Sequence, residues 1–229
     1  MADETAHLTR QLEIIPLDVL GNKITIVGAG AIGSFVTLSL AKMGFCDITV
    51  FDDDNIDIEN MNCQFFRFSD IGKPKVEALK ELVKDFTGVE IVAKNEQYTG
   101  GMFQGIVISA VDSMEARRLV WENHKEVAIA TKLVIDPRMG AETALCYAMS
   151  PMDPKDVTSY EKTLYSDENA VHERCTAKST MYTVLALSSH VCKVVKDYLC
   201  ADKRYTRVCE WSIKENVQKC WPNKKKEED

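Results

Sequence analysis

Residues 23–54 read KITIVGAGAIGSFVTLSLAKMGFCDITVFDDD, and the fold follows from them. An apolar run, Ile24 to Val27, ends in Gly28-Ala29-Gly30-Ala31-Ile32-Gly33. Phe35, Leu38, Leu40, Ala41 and Met43 then recur in a helix-like segment, and a second apolar run, Ile48 to Phe51, closes on Asp52. This is strand, glycine turn, helix, strand. Gly28 allows the tight turn, Gly30 lets a pyrophosphate approach the backbone, and Gly33 lets the helix pack close to the sheet. The helix start at Ala31 and Ile32 supplies free N–H donors and partial positive charge. Asp52 comes about twenty residues after the glycines, where a carboxylate accepts both ribose hydroxyls. The fingerprint predicts a nucleotide site and serves NAD and ATP alike.

The rest of the chain bounds this reading. Its 229 residues suffice for one doubly wound α/β domain with a real core. A composition of 45% hydrophobic and 28% charged residues is that of a soluble globular protein. The formal net charge of −7 argues against a general nucleic-acid or anionic-membrane binder. No apolar run reaches the roughly 20 residues of a membrane span, and the polar start MADETAH lacks a signal-peptide core, so a cytosolic protein is expected. Eight dispersed cysteines make no CxxC pair. They predict neither a disulfide framework nor a zinc site, and most read as buried or idle thiols.

Outward from the glycine stretch, Asp53 and Asp54 lead into a polar loop, residues 55–64, too long and too rich in amides and carboxylates to be only a connector. Gly72 and Pro74 punctuate the entry to a helix whose first turn carries Lys75. A cation is disfavoured beside a positive helix terminus unless an anion meets it, so Lys75 is a better ligand candidate than Lys80 or Lys84. Val89 to Ala93 alternates as a strand. Residues 105–112 read as a buried parallel strand ending in Asp112, which stands in the ligand crevice or caps the next helix, roles that do not exclude each other.

Leu133 to Asp136 and Ala144 to Met149 read as a hairpin-like pair joined by Pro137 to Gly140. A short helix is expected around residues 153–164, a core helix over residues 179–199, and a last edge strand over residues 207–213. Cys175 falls between loop and core helix, where a helix N-terminus, Arg174 and Lys178 favour a thiolate. It is either a reactive thiol or an idle one. Arg10, taken alone, reads as a solvated residue of an N-terminal arm. The expected organisation is an arm (1–22), a nucleotide-binding domain (23–213) and a charged tail (214–229). The expected fold is α/β: Rossmann-like and doubly wound, with a mostly parallel sheet, a C-terminal antiparallel extension and flanking helices.

With these residues in place, the chain resembles the ubiquitin-activating-enzyme-like superfamily, the group typified by ThiF, MoeB and HesA. The likeness runs from Arg10 to about Leu199. It rests on Gly28 to Gly33, Asp52 and Asp54, Asn60 and Gln64, Gly72 and Lys75, Ala110-Val111-Asp112-Ser113, Arg138-Met139-Gly140 and the loop cysteine, in the family's order. The resemblance implies that Asp52 binds the ribose, that Asn60 and Lys75 contact the ATP phosphates, and that Asp112 holds Mg²⁺. It further implies that Arg10 reaches the triphosphate of the other subunit in a homodimer. The implied chemistry is attack by the C-terminal carboxylate of a small ubiquitin-like protein or peptide on the α-phosphate of ATP. Some relatives then transfer the product to a cysteine at the place of Cys175.

Two departures stand out. Cys63 occupies the place of a family arginine, so either Arg67 substitutes for it or ATP binds more weakly. The paired cysteines that hold zinc in many relatives are absent. Three other readings compete. One is adenylation of a carboxylate on modified tRNA. A second is an NAD-dependent oxidoreductase, against which stand Lys75, Asp112 and the lack of an obvious hydride-transfer acid or base. The third is a non-catalytic scaffold, for which Cys63 is the best support.

Overall fold

All four residues of Ile24–Val27 are buried, and these side chains, pointing alternately to opposite faces, make β1 the centre of a sheet covered on both sides. The computed structural model describes residues 6–101, 103–165, 180–200 and 205–222. Four more strands lie in the parallel part of the sheet: β2 (Ile48–Phe51), β3 (Val92–Lys94), β4 (Gly105–Ser109) and β5 (Thr131–Gly140). The antiparallel strands β6 (Thr143–Met149), β7 (Thr206–Ser212) and β8 (Val217–Pro222) extend it. The order is β3-β2-β1-β4-β5-β6-β7-β8. It is the expected Rossmann-like sheet with an antiparallel extension, and its strand order reverses between β1 and β4.

The helices are α1 (Ala31–Lys42), α2 (Lys75–Thr87), α3 (Met114–Glu126), α4 (Pro154–Glu161) and α5 (Met181–Cys200). Side chains alternate across the sheet, and the two sets meet different helices. Ile24, Ile26, Ile106, Ile108, Leu133 and Ile135 share one core with Val36 and Leu40 of α1, Val76 and Leu79 of α2, and Leu187 and Val191 of α5. Val27, Phe51 and Val107 face the other way, onto Val120 of α3, and Val134 meets Trp121 of α3 and Tyr160 of α4. Each such fully buried aliphatic side chain contributes about 1.5–3 kcal/mol. The N-terminal arm is part of this structure: Leu8, Ile15 and Leu20 join the main core, and Gln11 Nε2 donates to the Met43 carbonyl at 2.7 Å.

Several local expectations change. Residues 137–140 are not a connector but the end of β5, with Pro137 opposite Cys146, and the turn falls at Ala141, whose φ is +48°. Ser113, not Asp112, caps α3, its Oγ accepting from the Ala116 N–H. Residues 206–212 do not form the sheet edge. The segment expected as a charged tail contributes β8, which pairs along β7 from Ser212↔Val217 to Thr206↔Pro222 after a turn in which Asn216 adopts φ +54°. Asn tolerates that left-handed conformation, which is what a tight hairpin requires. The folded part therefore runs past residue 213. No helix among the described residues is long and apolar enough to cross a membrane.

Candidate functional site

Ligands of open α/β sheets bind outside the carboxyl ends of the strands where the strand order reverses. Here that crevice lies between the ends of β1 and β4, and the residues around it are built for close approach. Gly28 has φ +98°, and a Cβ there would lie 2.4 Å from the Ala110 carbonyl oxygen. Only glycine lets the two strand ends pass this closely. A Cβ at Gly33 would lie 1.9 Å from the Gly28 carbonyl oxygen, so this glycine seats α1 on the turn itself as well as on the sheet.

Gly30 is different. A Cβ there would find nothing nearer than Gln64 Nε2 at 4.0 Å, and the first turn of α1 has no side-chain cap. The N–H groups at Ala31 and Ile32 are thus left for an anion, as at any uncapped helix start. Gln64 Oε1 is buried beside this space without a hydrogen-bond partner among the described residues. An open glycine, uncapped donors and an orphaned amide oxygen are the features a nucleotide's phosphates and sugar would complete. The residues present fit the group.

Asp52 ends β2 beside the turn. Its Oδ2 accepts from the Ala29 N–H at 2.6 Å and its Oδ1 from the Asp54 N–H at 2.9 Å. Burial raises its carboxyl above the ordinary carboxylate range, opposed by the Ala29 N–H and by the charge of Lys75. Lys75 opens α2, and its Nζ reaches back to Asp54 Oδ2 at 2.6 Å. The lysine is buried while Asp54 is exposed, so the pair fixes a cation at the edge of the crevice. Asn60 sits in the polar loop, where its Oδ1 accepts from the Asp57 N–H in a capping box. Glycine turn, Asp52, Asp54, Gln64 and Lys75 are therefore brought together.

Asp112 stands exposed just past the end of β4, held from behind. Arg117 of α3 donates from Nη2 to the Val111 carbonyl at 2.8 Å and pairs with the fully buried Asp136. Asp136 also accepts from Arg138 Nε at 2.8 Å and from the Tyr160 hydroxyl at 2.7 Å. Burial, and next the nearby Arg138 charge, lower the Arg117 pKa to about 10, still well above neutrality. The sequence reading missed Arg117 and Asp136. Their signal was an acid at the end of a predicted strand, the same signal that marked Asp52 and Asp112. Arg138, identified through its motif, lies over the rings of Tyr147 and Tyr160 at 4.8 and 5.7 Å and is part of this buried network.

Two predicted residues lie apart. Arg67 pairs with Asp85 of α2 at 2.6 Å on an exposed surface. Arg10 is exposed in the arm, and among the described residues its guanidinium pairs with no carboxylate. Cys63, in the place of the family arginine, is half-buried and packs on the main core. Cys175 lies outside the described residues.

Over 105 residues the chain is 36% identical to the NEDD8-activating enzyme E1 catalytic subunit of Arabidopsis thaliana, a match covering 43% of the chain and 23% of that protein. Over 124 residues it is 32% identical to the tRNA threonylcarbamoyladenosine dehydratase 1 of Saccharomyces cerevisiae, covering 48% of the chain and 29% of that protein. The chain thus spans about a quarter of the length of the curated relatives it matches. Among solved structures it shares its fold with PaaA, at a TM-score of 0.77 and 15% identity over 96% of this chain and 74% of that one. It shares it also with E. coli MccB in complex with ATP, at 0.74 and 15% over 94% and 71%. The ThiF family model matches residues 17–196, from the arm through most of α5, and the chain belongs to the ThiF family.

Proposed function

We propose that this protein adenylates the C-terminal carboxylate of a small ubiquitin-like protein or peptide, consuming ATP and releasing pyrophosphate. The observation that carries the reading is Lys75: a buried cation at a helix start, tied by Asp54 to the glycine turn and Asp52. A reaction that builds charge on phosphates has direct use for such a cation. The substrate carboxylate attacks the α-phosphate, the bond to the β-phosphate oxygen breaks, and an acyl-adenylate forms. A carboxylate nucleophile needs no general base. Asp52 orients the ribose, the N–H groups from Gly30 to Ile32 hold phosphate oxygens, and Lys75 and the partner subunit's Arg10 meet the charge that leaves with pyrophosphate. Asp112, an exposed hard oxygen donor, would hold Mg²⁺, which neutralises phosphate charge when bound. Cys175 is the candidate acceptor for a later thioester, and the homodimer and the cytosol are the setting this chemistry implies.

Similarity to E1 subunits and the fold shared with MccB support the reading. A second reading, activation of a carboxylate on tRNA, draws on the yeast dehydratase, and the net charge of −7 weighs against it. The first test compares thermal stabilisation by Mg·ATP, ATP without metal, NAD and NADP. A shift that requires ATP and grows with Mg²⁺ is expected, and stabilisation by NAD alone would overturn the proposal. With a substrate in hand, Asp112→Ala should abolish ATP–pyrophosphate exchange while leaving the unfolding midpoint unchanged. Exchange driven by tRNA and not by a peptide carboxylate would favour the second reading.

A further inference from the structure

Away from the nucleotide crevice, the antiparallel end of the sheet carries a row of three cysteines. Cys146 on β6 is opposite Cys209 on β7, which is opposite Cys220 on β8. Directly opposed residues of antiparallel strands present their side chains on the same face, with Cα atoms about 4.5–5.5 Å apart. That spacing lies inside the range of about 4.4–6.8 Å over which a disulfide closes without backbone movement. The outer two have already met: Cys209 Sγ and Cys220 Sγ are 2.9 Å apart.

The two thiols differ in a way that orders their chemistry. Cys220 is exposed on the outermost strand, none of whose residues is buried, so an external reagent reaches it first. Cys209 is buried, and burial raises its thiol to about 12, which leaves it protonated until a partner is presented. Gln218 Nε2 donates to Cys209 Sγ at 3.2 Å and supports negative charge as it develops on that sulfur. Cys146 is buried, and burial raises its thiol further, so it is the least available of the three.

We propose that Cys209 and Cys220 form a reversible dithiol–disulfide couple that locks the edge strand β8 to β7, with small-molecule disulfides such as oxidised glutathione as the oxidant. The Cys220 thiolate attacks one sulfur of the small disulfide, forming a mixed disulfide and expelling one thiolate. Cys209 gives its proton to solvent and attacks Cys220 Sγ. The bond to the small molecule breaks, and a second thiolate leaves. Two protein thiols are oxidised and one small disulfide is reduced to two thiols. Excess thiol reverses both steps. The covalent rung joins β8, whose one neighbour in the sheet among the described residues is β7, to the body of the sheet.

Peptide mapping of the whole chain tests this directly. After incubation with oxidised glutathione and alkylation of free thiols, trypsin without reductant cuts at Lys214 and Lys219, between the two cysteines. The expected product is one species joining the Cys209 and Cys220 peptides, lighter by the two hydrogens lost and separated again by dithiothreitol. In Cys209→Ser, glutathione should persist on Cys220, and in Cys220→Ser, Cys209 should stay free and alkylable only after unfolding. Stable glutathione on Cys220 of the unaltered chain, a link from Cys209 to Cys146, or Cys220 bridging two copies would each overturn the proposal. Cys220 is exposed, so its serine variant tests the chemistry without a folding defect.

Discussion

Replacing Gly30 by alanine separates the nucleotide cradle from the fold. Gly30 has φ −75°, and a Cβ there finds its nearest neighbour 4.0 Å away, so the folded chain accommodates a methyl group. With no steric clash at the new methyl group, the change should move stability by no more than about 1 kcal/mol in either direction. That methyl would occupy the space through which phosphate oxygens approach Ala31 and Ile32. Losing one hydrogen bond to a charged group costs about 1.5–3 kcal/mol, or roughly 10- to 150-fold in affinity. With ATP at a hundredfold excess over the wild-type dissociation constant, the wild type gains about 2.7 kcal/mol; a variant bound about thirtyfold more weakly gains roughly 0.8. For a chain of this size each kcal/mol moves the melting temperature by about 2–4 °C, so a shift of roughly 5–11 °C falls to roughly 2–3 °C. The assay is a melting curve with and without Mg·ATP. Gly33→Ala is the contrast, because its Cβ would lie 1.9 Å from the Gly28 oxygen and should lower the melting temperature without nucleotide. A Gly30→Ala variant that keeps the full ATP shift, or melts well below wild type without ATP, would refute the assignment.

Asp136→Asn should destabilise by about 3–5 kcal/mol, because it leaves Arg117 and Arg138 charged in a buried site without their carboxylate. Urea unfolding measures this, and a loss under about 1 kcal/mol would mean the network carries little. Lys75→Met should cut ATP–pyrophosphate exchange by about 10²–10³-fold, as removal of one preorganised donor does. Its urea midpoint should barely move, because the lysine's partner, Asp54, is exposed. A variant retaining more than about a tenth of the exchange rate would remove Lys75 from the reaction. His124 supplies a pH signature. Burial lowers its pKa to about 4, its ring being held by the Tyr98 and Thr131 hydroxyls. The folded value lies below the unfolded value of about 6.5, so its contribution is complete above pH 6.5 and is lost as pH falls through about 4. The loss is roughly 3 kcal/mol, and His124→Gln should flatten stability over that interval. An unchanged slope in the variant would assign the acid sensitivity elsewhere.

How far the fold was legible depended on how local its causes are. The glycine turn, β1, β2, α1 and the entry to α2 follow from residues that are neighbours in sequence, and the structure agrees to within a residue or two. The hairpin of β5 and β6 was displaced, because Pro137 is normally read as punctuation. Here it sits inside a strand, where β5 has left the parallel part of the sheet and pairs antiparallel with β6. β8 was illegible for a related reason. VQKCWP has only two strongly apolar residues, Val217 and Trp221, both half exposed, and it becomes a strand by pairing with β7 and not by burial. Arg67 was one of two alternatives offered for the family arginine replaced by Cys63; its nearness in sequence does not say which carboxylate it meets, and it pairs with Asp85 of α2.

The same limit applies most sharply to the acids at the strand ends. Asp52, Asp112 and Asp136 each follow an apolar run of a parallel strand, so the rule that ligands gather at carboxyl ends marks all three equally. What distinguishes them is how much of each carboxylate's bonding capacity the fold already uses. Asp136 is fully buried and accepts from two arginines and a tyrosine, leaving nothing for a ligand. Asp52 spends its oxygens on two backbone N–H groups, yet it is only half-buried, so an edge of the carboxylate still faces the crevice. Asp112 is exposed, and the helix-capping role that would have occupied it is taken by Ser113. One acid is therefore structural, one is partly committed to the glycine turn, and one makes no hydrogen bond or ion pair among the described residues. Asp136 serves Asp112 in turn, because the arginine it neutralises is the one that grips the Val111 carbonyl and sets where the Asp112 carboxylate stands.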